Sequence, residues 1–305
     1  MDCQNKEFDK NQEYHYGIRN QSQTTYNPKA NEVFFYQSYC FLLECELQEM
    51  VYVLFVKLLS FRPHVIVSAG SFVSVPLAYM SWLLRIPHVI LQMDVRPGLA
   101  HRLMAPVSRA LATYFEKTAN HFPKFLLKRN IGPVVRQEII TANADHANER
   151  FGLDPEMPLI LITGGGQGAA GLNNAIMPLL KHWLINFQVV HLTGTEWGKN
   201  LEPEYSNFSH QHYHRLESVH QGMGDLLAKS EIVLTRAGMG IIGELAVLKK
   251  DSVLIPLPGT HQEENARLLQ QNKAAVFVSQ EHLEAEGINW WKKFLNVSDY
   301  GLLWI

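Results

Sequence analysis

The residues of this chain whose type and spacing could do chemistry are, first of all, glycines. One cluster reads Gly164-Gly165-Gly166-Gln167-Gly168-Ala169-Ala170-Gly171, and a second reads Arg236-Ala237-Gly238-Met239-Gly240-Ile241-Ile242-Gly243-Glu244. A short apolar run rich in β-branched residues precedes each, at 158–163 and 231–235, and helical spacing follows each, at 172–184 and 241–248. A strand that feeds a helix through glycines leaves the first N–H groups and the positive end of the helix dipole open at the carboxyl edge of a parallel sheet. Phosphates bind there. Two such turns in one domain point to a nucleotide diphosphate site. Each also spells GxGxxG, with Gly166, Gly168 and Gly171 in one and Gly238, Gly240 and Gly243 in the other. The dinucleotide version of that motif wants an acidic residue about 20 positions later, at the end of the next strand. Here the next strand, 187–192, runs into Thr193-Gly194, so a nicotinamide site is disfavoured. The alternative is that the glycines only permit tight turns and close helix–sheet packing.

At 305 residues the chain has room for two domains with their own cores. With 27 basic against 29 acidic residues it is close to neutral, and nothing argues for a nucleic-acid partner. Its three cysteines, Cys3, Cys40 and Cys45, lack any CxxC or Cys/His metal spacing, which fits a reducing compartment. His210, His212 and His214 alternate, so a strand would place them on one face as a metal handle. Their polar, loop-like setting supplies no carboxylate, so they are read as solvated and no metal is expected. No apolar run is long enough to span a bilayer.

Strands and helices alternate after an initial apolar helix at 42–61: strand 64–68, turn 69–71, helix 73–84, strand 88–92, loop 94–98, helix 99–111. An irregular stretch, 114–154, follows; a second series then opens, with strands at 158–163, 188–192, 231–235, 252–256 and 275–278. This is βαβ logic, and parallel strands need such crossovers. The expected architecture is α/β, with two Rossmann-like domains and a cleft between them, an arrangement that resembles the GT-B type of many nucleotide-sugar glycosyltransferases. The expected parts are a poorly ordered or degenerate amino end at 1–41, a partial Rossmann-like domain at 42–136, an interdomain segment at 137–157 and a nucleotide-binding domain at 158–305. The stripe on the 42–61 helix is broader than one packing surface requires, which leaves core packing and lipid contact both open.

Six segments in order resemble glycosyltransferase family 28: Ser68 to Pro76, Asp94 to Leu99, Gly132 to Arg136, Gly164 to Asn173 with His191-Leu-Thr-Gly194, Arg236-Ala-Gly238 with Glu244, and His261-Gln262-Glu-Glu-Asn265-Ala266. The resemblance implies an inverting hexosaminyltransferase, with no cofactor. It would move N-acetylglucosamine from UDP-N-acetylglucosamine to an undecaprenyl-linked muramoyl pentapeptide at the inner membrane surface. It implies donor-binding roles for Arg136, Gly165, Gly166, Gln167, Gly168, Ala237, Gly238, Met239, Glu244, His261, Gln262 and Asn265. Among these, Glu244 would accept from the ribose hydroxyls, His261 and Gln262 would meet the sugar, and Arg136 would face the diphosphate, a role suited to its planar fork. His191 would orient the loop. Gly166 stands where the family usually has serine, so backbone N–H groups would act alone there. Gly70, Ser71 and Ser74 would lie on the acceptor side, and Asp94, where many members have asparagine, is the candidate general base. The family's first glycine loop, which carries a histidine, has no counterpart ahead of residue 51. That departure leads to the expectation of an incomplete or degenerate member, with donor binding retained and transfer weak or lost. The alternatives are a nucleotide-sugar-binding remnant without transfer and a family-28 transferase with another lipid acceptor.

Overall fold

The computed structural model describes residues 44–165, 169–195, 208–286 and residue 289, with 44–50 described as backbone only. Two all-parallel sheets organise it. The first has the order β1-β2-β3-β4, formed by Ile66–Ser68, His88–Gln92, Ala110–Thr113 and Leu127–Asn130. The second has the order β10-β9-β8-β5-β6-β7. In chain order its strands are β5 (Leu159–Thr163), β6 (Gln188–Leu192), β7 (Tyr213–Leu216), β8 (Ser230–Thr235), β9 (Asp251–Leu254) and β10 (Val276–Phe277).

Around the first sheet lie helices α1 (Glu44–Phe61), α2 (Ser74–Leu83) and α3 (Leu99–Met104). Ala78, Ile90, Met104, Leu111, Phe122 and Leu126 form its core. The second sheet is covered on both faces, which is why β5 and β6 are buried at every position, and β5 reads as a nearly continuous apolar run. One face carries α6 (Ala170–Ile176), α7 (Leu180–Trp183) and α11 (Gln280–Glu286). The other carries α8 (Met223–Lys229), α9 (Met239–Leu248) and α10 (Gln262–Gln271). Leu91, Met93 and Phe115, from the carboxyl ends of β2 and β3, pack against this second core and so tie the two sheets together.

Three expectations need correcting. The helix expected over 99–111 ends at Met104; a 3-10 turn with Pro106 at its start follows, and Ala110–Thr113 is a strand. Proline removes a helix N–H. Ala-Leu-Ala-Thr has little strand propensity of its own, and burial between two neighbours makes it one, with Leu111 and Thr113 almost fully enclosed. Within the stretch read as irregular, 114–154, lie β4, a 3-10 segment (Glu116–His121) and helices α4 (Gln137–Ile140) and α5 (Ala144–Phe151). The Asn143 side chain caps α5 by accepting from the Asp145 N–H, and Gly152 closes it at φ +64°. Finally, the helix expected at 172–184 is broken by a 3-10 turn at Pro178. The three alternating histidines straddle a turn and the strand β7, and no group able to hold a metal occurs among the described residues.

Candidate functional site

Strand β8 crosses over to pair directly with β5, and the last residues of the two strands, Thr163 and Thr235, are register partners. The two glycine turns therefore start side by side at the carboxyl edge. On one side of β5 the chain has continued to β6 and β7, on the other to β8, β9 and β10, so this is the point where strand order reverses and open α/β sheets bind ligands. Gly165 adopts φ +88°, a left-handed conformation suited to glycine, and its N–H donates to Thr163 Oγ1 at 3.3 Å. Gly166, Gln167 and Gly168 lie outside the described residues. In the second turn Ala237 is fully buried, Gly238 caps α9 in an extended conformation, and Met239 faces the core. A methyl added at Gly238 or Gly240 would meet no atom within 4 Å, so the approach to the amino end of α9 is open. Gly243 differs. A methyl there would fall 2.9 Å from Pro133 Cβ, so the third glycine of that motif serves close packing.

Glu244 sits in α9, largely enclosed, and one of its oxygens accepts from both Nε and Nη2 of Arg136 at 2.9 Å. Burial pushes the Glu244 carboxyl above the ordinary range, and the Arg136 charge pulls the other way. Arg136 Nη1 also meets Glu138 at 2.6 Å. The structure thus pairs two residues for which separate ligands were expected. With its fork engaged by two carboxylates, Arg136 is the counter-ion of Glu244 before it is a phosphate ligand.

The segment 261–265 reaches across to the first sheet. Asp94, just past β2, has Oδ1 at 2.9 Å from Asn265 Nδ2 and 3.6 Å from His261 Nε2. Asn265 is fully buried. Its Oδ1 accepts from the Val95 N–H at 3.1 Å, and its Nδ2 donates to Ala237 O at 3.2 Å as well as to Asp94. Both amide hydrogens are committed within the protein, and Asn265 bridges the two halves. His261 is exposed at the start of α10, and Gln262 uses its carbonyl oxygen to accept from the Leu257 N–H. Arg96 and Glu264 add an ion pair beside the bridge.

On the acceptor side, Gly70 (φ +106°) and Ser71 (φ +85°) are both left-handed, and the Ser74 hydroxyl donates to Gly70 O at 2.7 Å. The His101 ring lies directly beneath, where a methyl on Gly70 would come within 2.5 Å of it. Burial lowers the affinity of His101 for a proton, while the Asp94 charge opposes that. Sequence reasoning missed His101, because a single histidine inside a short helix carries no signal of what lies above it.

His191, on β6, is fully buried between Tyr213 OH (2.9 Å from Nδ1) and Asn173 Oδ1 (3.1 Å from Nε2). Asn173 spends its Nδ2 on Thr193 O, so its oxygen accepts from Nε2–H, and Nδ1 accepts from the tyrosine. That fixes a neutral imidazole, and burial holds its pKa down at about 3.

Two parallel α/β sheets joined at the open ends of their strands, with glycine turns at the junction, define a GT-B protein. Solved structures share the fold. MurG of Acinetobacter baumannii aligns with a TM-score of 0.61 at 21% identity, covering 85% of this chain and 71% of that one. A UDP-GlcNAc 2-epimerase from Neisseria meningitidis, solved bound to UDP-GlcNAc, aligns with a TM-score of 0.64 at 16% identity, covering 83% and 74%. Residues 159–289 match the glycosyltransferase family 28 C-terminal domain. The chain is 34% identical over 203 residues to a UDP-N-acetylglucosamine--N-acetylmuramyl-(pentapeptide) pyrophosphoryl-undecaprenol N-acetylglucosamine transferase of Bacillus thuringiensis (strain Al Hakam), covering 67% of this chain and 56% of the relative. It is 32% identical over 229 residues to the corresponding transferase of Legionella pneumophila (strain Lens), covering 74% and 62%. Residues 159–289 are thus a glycosyltransferase family 28 C-terminal domain, and the chain is similar to MurG-type transferases. It spans less than two thirds of the length of those relatives.

Proposed function

We propose that this chain transfers N-acetylglucosamine from UDP-N-acetylglucosamine to a lipid-linked muramoyl pentapeptide, with inversion. The observation that carries this reading is the meeting of Asp94, from the acceptor-side loop, with His261 and Asn265, from the donor-side segment. A carboxylate at that junction supports a role in taking the proton of an acceptor hydroxyl. The hydroxyl oxygen attacks the anomeric carbon, its proton passes to Asp94, and the bond from the anomeric carbon to the diphosphate oxygen breaks. UDP leaves with the electron pair. Its charge is met by the open amino end of α9 at Gly238, whose N–H donors are held in place beforehand by the helix. The free oxygen of Glu244 accepts from the ribose, and His261 and Gln262 meet the sugar.

The lipid acceptor places the protein on the inner face of the membrane. No helix among the described residues is long and apolar enough to cross one. Exposed apolar side chains on two packed helices support a peripheral attachment: Tyr52, Val53, Val56 and Leu59 on α1, and Tyr79, Trp82 and Leu83 on α2.

The test is transfer of radiolabelled N-acetylglucosamine to a soluble analogue of the lipid-linked muramoyl pentapeptide by the protein and by Asp94→Ala. Labelled product that falls by about a hundredfold or more in the variant supports the reading, in line with the size of general-base contributions. Tight UDP binding with no product from the unaltered protein would replace it with the nucleotide-sugar-binding reading.

A further inference from the structure

We infer that Asn265 is a positioning residue that holds Asp94 and the acceptor-side loop in register with the donor-side glycine turn. Asn265 sits in the first turns of α10, on the six-stranded sheet, yet two of its three bonds leave that sheet for the loop after β2. Its side chain closes a ring. The carbonyl oxygen takes the Val95 N–H, while the amide hydrogens go to the Asp94 carboxylate and to Ala237 O, one residue before the cap of α9. A single buried amide therefore touches the candidate base, the backbone that follows it, and the backbone that leads into the proposed diphosphate site.

The chemistry of the amide suits that task. A carboxylate at 265 could accept from Val95 but would repel both Asp94 and the Ala237 carbonyl, and an apolar residue would take away the partner of the half-buried Val95 N–H. The bond to Asp94 is charge-assisted and engages one oxygen, so Asp94 is both anchored and left with its second oxygen for a proton. Asn265 touches no substrate in this scheme. It acts through Asp94.

This inference rests on the reading of Asp94 as the base, and two measurements separate the two claims. Hydrogen exchange of the Val95 amide reports the bridge alone. It is expected to be protected in the unaltered protein and to lose protection in Asn265→Ala and in Asn265→Ser, the second retained in case the first folds poorly. A cooperative thermal unfolding transition like that of the unaltered protein confirms that either variant is folded. Transfer kinetics then report the positioning. The kcat should fall by about a hundredfold, the scale of a displaced reacting group, with the KM for UDP-N-acetylglucosamine unchanged. In the Asp94→Asn background the same substitution should cost less than about threefold more, because residues acting as one unit are not additive. Unchanged Val95 exchange overturns the bridge. Full additivity with Asp94→Asn, or a rise in donor KM at constant kcat, overturns the positioning role. Loss of Val95 protection in a protein that never transfers sugar leaves the bridge standing and sinks the catalytic reading of Asp94.

Discussion

At the scale of single residues, the junction shows how a side chain's role depends on what already occupies its hydrogen bonds. Glu244 is enclosed and pairs one oxygen with Arg136, which leaves the other for a ligand. Glu244→Gln keeps the shape and removes the charge. Hydrogen bonds to charged groups contribute roughly 1.5–3 kcal/mol, so UDP affinity by calorimetry should fall by about tenfold to a hundredfold; an unchanged affinity would remove Glu244 from the site. Arg136→Met should weaken uridine and UDP alike, because the arginine reaches the ligand through Glu244. A loss confined to UDP would return Arg136 to the diphosphate. Glu244 and Arg136 were legible as candidates from their motifs. Their pairing was not, since 108 positions of chain separate them.

Elements decide which glycines tolerate a side chain. In α9, Gly240 looks into open space, whereas Gly243 abuts Pro133. Gly240→Ala should raise the melting temperature, since alanine in a helix is favoured by about 1 kcal/mol over glycine. Gly243→Ala should lower it, overpacking of this kind costing about 1–3 kcal/mol. Differential scanning calorimetry of the two variants reads both signs. Helix α1 offers a second test at this scale. Leu54 and Leu58, one turn apart, are buried, while Val53 and Val56 are exposed, so the broad stripe divides into a packed face and an open one. Val53→Asp with Val56→Asp should release the protein from anionic vesicles in a flotation assay without altering UDP affinity. If the unaltered protein does not float, the open apolar face serves something other than lipid.

Across the whole molecule, each sheet encloses a neutral histidine. His88 lies between Ser68 and Ser108 in the first sheet, with its pKa lowered to about 4 mainly by burial. In the second sheet, His191 is lowered to about 3. Both take up a proton near pH 6.5 once unfolded, so the unfolded state binds more protons at mildly acid pH. Stability contributed by these groups is complete above pH 6.5 and declines as the pH falls toward 4, by about 1.4 kcal/mol per pH unit for each. Urea unfolding at several pH values should show that slope, and His191→Gln should flatten it by one group's share. An unaltered slope in that variant would mean that His191 already carries its proton in the folded protein.

The sequence by itself determined the strand-to-helix glycine turns, the two βαβ series and the candidate residues at their ends, because backbone freedom at glycine and apolar periodicity are local properties. Strands β3 and β4 were not visible in it. Ala110–Thr113 gains its strand character only from neighbours on both sides, and Leu127–Asn130 is a polar edge. Tertiary structure alone decided that β8 pairs with β5, which sets Thr163 beside Thr235 and brings the two glycine turns together. It likewise decided that Asn265 spends its amide on Asp94, Val95 and Ala237, since hydrogen-bond partners far apart in the chain are chosen by how the two sheets dock and not by any run of residues.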